Sequence, residues 1–319
     1  MCTSVRFCDS EGNLFFGRNL DWSGSYGEKV IVTPRGYKTS WAFNNAIDDA
    51  QGDVRPAVIG MGIVEAGKPL YFDCANEYGL GIAGLNFPGF AEYEKAPIED
   101  RTNVASYEFP YWACAHFKTV DEVEAGIKDL ALVGLEIGGF PPSFLHWIIV
   151  DKDKALVVEY MADGLHVYHN DIDVLANQPT FPWHLENVRN YINVTSDVPE
   201  DTHWDKHELS AYSSGFGMLG LPGAFNSPSR FIRASYLNSH YPVQDSERGN
   251  VDRLFHILLG VSMVDGAAKM KSGPFEKTIY TGGYYQKTKT YYYNNYEDLS
   301  IKQVSLADYD LDSEALVLA

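Results

Sequence analysis

Two short apolar runs open the chain, at 5–8 and 14–20, around the polar cluster Asp9-Ser10-Glu11-Gly12-Asn13. Strand-like runs flanking turn formers predict a β-hairpin at the first residues. Apolar, β-branched runs predict further strands at 57–64, 70–74 and 80–85, and a short one at 30–33. The pattern then changes period. Thr119-Val120-Asp121-Glu122 is a capping box, with Thr119 as N-cap and Glu122 at N3, and predicts a helix running to about Leu132. A helix before it ends near Phe117, with Pro110 in its first turn. Strands return at 146–150, 155–160 and 165–169, and 183–192 reads as helix. Ser227-Pro228 supplies an N-cap and a proline at N1 for a helix to about Ser239, which puts Arg230 at N3. An amphipathic helix follows at 251–264, then strands at 277–280 and 289–293.

Strands therefore come in runs with helices grouped between them. That order predicts an α+β fold of antiparallel sheets covered by helices, not a regular β-α-β alternation. No linker, repeat or low-complexity tract divides the 319 residues, so a single domain over 1–319 is expected. The chain is 45% hydrophobic and 21% charged, enough for a real core. Its net charge of −18 disfavours nucleic acid and anionic membranes as partners. No apolar run approaches the ~18 residues of a membrane span. Met1-Cys2-Thr3-Ser4 leads straight into a strand pattern without a signal peptide, so a cytoplasmic protein with reduced cysteines is expected.

Two motifs lack their structural context. Gly79-Leu80-Gly81-Ile82-Ala83-Gly84 and Gly215-Phe216-Gly217-Met218-Leu219-Gly220 match the dinucleotide pattern. That pattern needs a helix opening at the glycines, and Asn86-Phe87-Pro88-Gly89 and Leu221-Pro222-Gly223 forbid one. His203 and His207 have ligand spacing but sit in a polar stretch. No cofactor and no metal are expected.

Cys2 is the chemically informative residue. Aminopeptidases remove an initiator methionine that precedes a small residue. The chain would then begin with Cys2, carrying a thiol and a free α-amine together. An α-amine titrates near 7.7–8.0 and a free thiol near 8.5. Such an amine can accept the thiol proton at neutral pH, so one residue supplies both nucleophile and base. A hairpin turning near Glu11 sets Cys2 opposite about residue 20, with Arg18 and Asp21 close by. A guanidinium favours a thiolate, and Asp21 could hold the amine. Arg230 stands against the helix dipole, which suits an arginine placed for a partner.

These residues, with Gly17-Arg18-Asn19-Leu20-Asp21, Gly84-Leu85-Asn86-Phe87-Pro88, Leu175-Ala176-Asn177-Gln178-Pro179 and Ser229-Arg230-Phe231, recur in one known arrangement. The chain resembles the choloylglycine hydrolase family of N-terminal-nucleophile hydrolases, which contains bile salt hydrolases and penicillin V acylases. The resemblance implies a four-layer αββα sandwich and hydrolysis of glycine- or taurine-conjugated bile salts. It implies Cys2 as nucleophile, its α-amine as base, and Arg18 and Asp21 as its positioning groups. Asn177, through its side chain, and Asn86, through its backbone N–H, would form the oxyanion hole, and Arg230 would steady the cluster. Leu20, Trp22, Tyr26, Glu65, Ile137 and Phe140 would contact substrate, Glu65 standing where relatives often carry an apolar residue. A homotetramer is implied as well. A penicillin V or other N-acyl amidase is the alternative on the same machinery, and a non-catalytic binding protein the alternative from another class.

Overall fold

The computed structural model describes residues 1–43, 55–271 and 273–319. Along the chain the first strands are β1 (Cys2–Cys8), β2 (Leu14–Trp22), β3 (Lys29–Thr33), β4 (Val58–Glu65), β5 (Lys68–Asn76), β6 (Gly81–Asn86) and β7 (Thr102–Ala105). Helices α1 (Phe109–His116) and α2 (Val120–Gly126) lead to β8 (Leu130–Val133), β9 (Leu145–Val150), β10 (Ala155–Met161), β11 (Gly164–His169) and β12 (Val174–Leu175). Helix α3 (Phe181–Val188) precedes the small hairpin β13 (Thr202–Trp204) and β14 (His207–Leu209). Helices α4 (Ser227–His240) and α5 (Glu247–Leu259) then precede β15 (Ala268–Lys269), β16 (Phe275–Tyr285), β17 (Thr290–Asn295), β18 (Lys302–Ser305) and β19 (Val317–Leu318).

Two large sheets result. One runs β12-β1-β2-β16-β17-β18, with β15 on β16; the other runs β11-β10-β9-β6-β5-β4-β3-β19. Their pairings are antiparallel throughout. Helices α4 and α5 cover β1 and β2 of the first sheet, and α1 covers β5 and β6 of the second. The order helix, sheet, sheet, helix is the expected α+β sandwich of four layers. One apolar core lies between the sheets and under α4 and α5. The other lies between the second sheet and α1 and α2. Because both faces of the central strands are covered, β1 is buried from Cys2 to Phe7 and shows no alternation. No helix among the described residues is long and apolar enough to cross a membrane.

The opening hairpin forms as the sequence predicts. Asp9 Oδ1 accepts the N–H groups of Glu11 at 2.9 Å and Asn13 at 2.8 Å, and Gly12 takes a φ of +85° that favours glycine. The register sets Cys2 opposite Leu20 and Ser4 opposite Arg18. The Tyr-rich stretch after residue 280 belongs to the first sheet, where β16 pairs with both β2 and β17.

Several boundaries differ from expectation. The capping box is present, with Thr119 Oγ1 accepting from the Glu122 N–H, but α2 stops at Gly126. The buried run Leu130–Val133 forms β8, parallel to β7, instead of a last helical turn. The cap of α4 is Asn226, whose side chain accepts from the Ser229 N–H at 2.9 Å. Ser227 is then N1 and Arg230 lies one position deeper than predicted. Helix α5 starts earlier, at the Ser246 cap, and ends at Leu259. Gly81 and Gly84 lie within β6, and a 3-10 turn lies at Phe216–Met218, so neither glycine pattern opens an α-helix.

Candidate active site

Strand β1 delivers Cys2 to the seam between the two sheets, 4% exposed. Its backbone nitrogen donates to Asn177 Oδ1 at 2.7 Å. Sequence reasoning gave that nitrogen to Asp21. The carboxyl of Asp21 is instead occupied by the Thr278 hydroxyl, which donates to Oδ1 at 2.6 Å. Its Oδ2 lies 3.8 Å from Arg230 Nη1. Strand pairing explains the difference: the Asp21 N–H donates to Met1 O at 2.8 Å, continuing the β1–β2 ladder past Cys2. The Met1 amine reaches Asp21 O and lies 3.3 Å from Glu276 Oε1.

Both arginines are wholly buried. Arg18 donates from Nε to Asn19 O at 3.1 Å and from Nη1 to Phe72 O at 3.2 Å, while Nη2 has no hydrogen-bond partner. Burial favours its neutral form, but the neighbouring Cys2, Tyr280 and Asp73 outweigh this and raise its pKa. Asp73 accepts from the Tyr280 hydroxyl and, at 2.6 Å, from the Tyr291 hydroxyl. Burial raises the pKa of Asp73, against the pull of Arg18 and the two hydroxyls. Gly282 leaves the room for Tyr291: a Cβ there would stand 2.1 Å from the Tyr291 oxygen. Arg230 donates to Cys2 O, Thr3 Oγ1 and, at 2.6 Å, Asn177 Oδ1. Burial lowers its pKa, and Asp21 opposes that. Four charge-complementary groups around one cysteine offset the cost of burying either guanidinium.

Asn177 follows β12 and is also fully buried. Its Nδ2 donates to Asn86 O at 2.7 Å, across from the first sheet to the second. The Phe87 N–H donates to Phe144 O at 2.8 Å. Antiparallel alternation then turns the N–H and C=O of Asn86 away from β9, to the side of Asn177. Two amide groups thus converge beside Cys2.

A cleft of about 980 Å³, its open mouth included, leads to this point. Cys2, Arg18, Asp21 and Asn86 lie at its lining, as do Leu20, Trp22, Tyr26, Ile137 and Phe140. Tyr26 and Phe140 are exposed, and burial of the Tyr26 hydroxyl side pushes its pKa up to about 12. Glu65 does not join the wall. Its carboxylate accepts from the Ala66 N–H at 3.2 Å, and its side chain lies against Gly138, behind the loop that carries Ile137. Ile63, two residues earlier, and Leu70 line the cleft instead. The wall is therefore apolar and the floor polar, the usual division in a small-molecule site. His203 and His207 lie on the exposed β13–β14 hairpin, and no cluster of metal-ligating side chains occurs among the described residues.

Sequence reasoning missed Thr278, Asp73, Tyr280, Tyr291 and Ser227. The first four reach the site from positions remote in the chain, and no local pattern marks them. Ser227 was read as a cap, whereas its hydroxyl accepts from the Asn177 N–H at 2.9 Å.

Known proteins resemble this chain in sequence and fold. Residues 2–319 match the family described as linear amide C–N hydrolases, choloylglycine hydrolase family. A bile salt hydrolase/transferase of Bifidobacterium longum is 54% identical over 318 residues, covering 99% of each chain. A conjugated bile acid hydrolase of Lactobacillus gasseri is 43% identical, again over 99% of each. The crystal structure of the C2A variant of the conjugated bile acid hydrolase from Clostridium perfringens superposes with a TM-score of 0.91 at 33% identity, covering 100% of this chain and 96% of that one. The penicillin V acylase of Agrobacterium tumefaciens shares the fold, with a TM-score of 0.77 at 18% identity over 99% of this chain and 90% of that one. The chain belongs to the choloylglycine hydrolase family, hydrolases of linear amide C–N bonds.

Proposed function

We propose that this protein hydrolyses the amide bond of glycine- or taurine-conjugated bile salts, acting as one catalytic unit over residues 1–319. The observation that carries the reading is the meeting of the Cys2 nitrogen, Asn177 and Asn86 at the end of an apolar cleft. The names of the relatives supply the substrate class.

With Met1 excised, the geometry supports the following chemistry. The Cys2 nitrogen becomes an amine held by Asn177 Oδ1. It accepts the thiol proton, and Cys2 Sγ attacks the amide carbon. The carbonyl oxygen takes the negative charge. The second hydrogen of Asn177 Nδ2 and the Asn86 N–H are the donors placed for it. One such donor is worth about 3–4 kcal/mol of barrier. The amine leaves with the proton of the α-ammonium, giving a thioester. Water then gives a proton to the α-amine, attacks the thioester, and releases the bile acid and the free thiol. Arg18, Arg230 and Asp21 position Cys2 and balance its charge. Leu20, Trp22, Tyr26, Ile137 and Phe140 offer the steroid an apolar face. Glu65 takes a supporting place behind the loop.

Processed enzyme should release glycine or taurine from conjugated bile salts, and Cys2→Ala should release neither. Mass spectrometry should find Met1 absent from the active form. No release by a chain that begins with Cys2 overturns the reading. Turnover of phenoxymethylpenicillin faster than any bile salt would assign a different amidase.

The same proposal places the protein in the cytoplasm, in keeping with four cysteines outside any disulfide. It also makes it a homotetramer. Trp204, Tyr212 and Leu219 stand exposed in the 202–219 region, the kind of apolar surface that a second copy covers. Light scattering at micromolar concentration should give four times the chain mass.

A further inference from the structure

The backbone around Asn177 has no sheet partner, because β12 ends at Leu175. Buried backbone groups must nonetheless be satisfied. Here three side chains from three elements do it. The Asn177 N–H donates to Ser227 Oγ, at the start of α4. His184 of α3 donates from Nε2 to Asn177 O at 2.8 Å. His146 of β9 donates from Nε2 to Ala176 O, also at 2.8 Å.

Both histidines are wholly buried, and each stacks on the neighbour of a site residue. The His184 ring lies 4.5 Å from Phe231, next to Arg230. The His146 ring lies 4.2 Å from Phe87, next to Asn86, at an interplanar angle of 7°. His146 Nδ1 faces Glu159 Oε1 at 3.2 Å, and that oxygen also accepts from the Phe181 N–H at the start of α3. None of this is demanded by packing. A leucine at either place would fill the space but leave a buried carbonyl without its donor, so the histidines meet a polar need.

We propose that His146 and His184 are positioning residues that clamp the two carbonyls flanking the Asn177 Cα and so aim its Nδ2 at the reacting oxygen. This rests on the reading of Asn177 as an oxyanion donor. The side chain of Asn177 is tied at Oδ1 by Cys2 and Arg230 and at Nδ2 by Asn86. Its main chain is tied by Ser227, His184 and, through the preceding carbonyl, His146. A donor fixed from both ends is preorganised, and losing about 1 Å of that placement costs on the order of 10²-fold in rate. His146 also lies beside Asn86 on the neighbouring strand, with Leu85 opposite it, so one ring sets both donors relative to each other.

The test uses processed, full-length enzyme. His184→Phe keeps the stacking on Phe231 and removes the donor, and His184→Gln restores an N–H. The clamp predicts a fall in kcat of about 10²-fold for His184→Phe, with KM and the rate of Cys2 alkylation within about threefold of the parent. His184→Gln should recover at least about tenfold of that loss. Combined with Asn177→Ala, His184→Phe should cost nothing more, because it acts through Asn177. Unchanged kcat in His184→Phe overturns the clamp, and so does a loss that multiplies in the double variant. A loss shared equally by Cys2 alkylation assigns the histidine a general structural role and also overturns it. Should His184→Phe not fold, His146→Phe, which keeps the stacking on Phe87 and removes the donor to Ala176 O, is read by the same criteria. If Asn177→Ala itself keeps full kcat, the oxyanion reading fails first. If Asn177→Ala is slow and the histidine variants are not, only the clamp fails.

Discussion

His184 ties the chemistry of single residues to the stability of the fold. Burial pushes its pKa down to about 4, with the Asn177 carbonyl pulling the other way. In the unfolded chain the same ring titrates near 6.5. The native state therefore binds fewer protons than the unfolded state between these values. Stability is fully present above about 6.5 and is lost as pH falls toward 4, by up to ~3 kcal/mol. Urea midpoints measured at pH 7, 5.5 and 4.5 should fall steeply for the parent and less steeply for His184→Gln. At this scale the sequence was legible where partners were near in the chain. The turn at Asp9–Asn13 places Arg18 and Asp21 beside Cys2 by counting alone. The partner of the Cys2 nitrogen was not legible, because Asn177 arrives from 175 residues away. A separation of 257 residues likewise hid Thr278 behind Asp21.

Elements bring those distant residues in, and their ends matter more than their middles. Helix α4 carries Arg230 within its second turn, so its start fixes where the guanidinium meets Cys2 O and Asn177. Asn226→Ala removes the cap and should cost about 1 kcal/mol of stability. Because Ser227 and Arg230 follow directly, hydrolysis should slow as well, which a progress curve at saturating substrate would register. The sequence showed that a helix began here, through Pro228, but put the cap one residue late. Ser and Asn are both good caps, and only the hydrogen bond to the Ser229 N–H chooses between them. Leu130–Val133 shows the opposite limit. A short apolar run suits helix or strand equally, and its pairing with β7 decides.

For the molecule as a whole, the net charge of −18 surrounds a buried set of opposite charges, Arg18 and Arg230 with Asp21 and Asp73, at the seam of two sheets. Several hydrogen bonds cross that seam at the site. Arg18 donates to Phe72 O, Tyr280 and Tyr291 donate to Asp73, and Asn177 donates to Asn86 O. Asp73→Ala would leave two buried hydroxyls and one buried guanidinium short of a partner, with a loss on the order of 3–5 kcal/mol in a urea titration. That antiparallel sheets are covered by helices was readable from the grouping of strands and helices, whereas the four-layer order followed only from the family resemblance. Which strands border the seam was not readable, since sheet order depends on pairings such as β6 with β9 that skip along the chain.

The Asn177–Asn86 bond makes turnover a gauge of how the two layers are aligned. By the proposed mechanism neither layer holds a complete set of reacting groups, so a slide of one over the other by an ångström should silence hydrolysis while every strand is still intact. Graded denaturant should therefore extinguish hydrolysis well before the far-ultraviolet signal begins to fall.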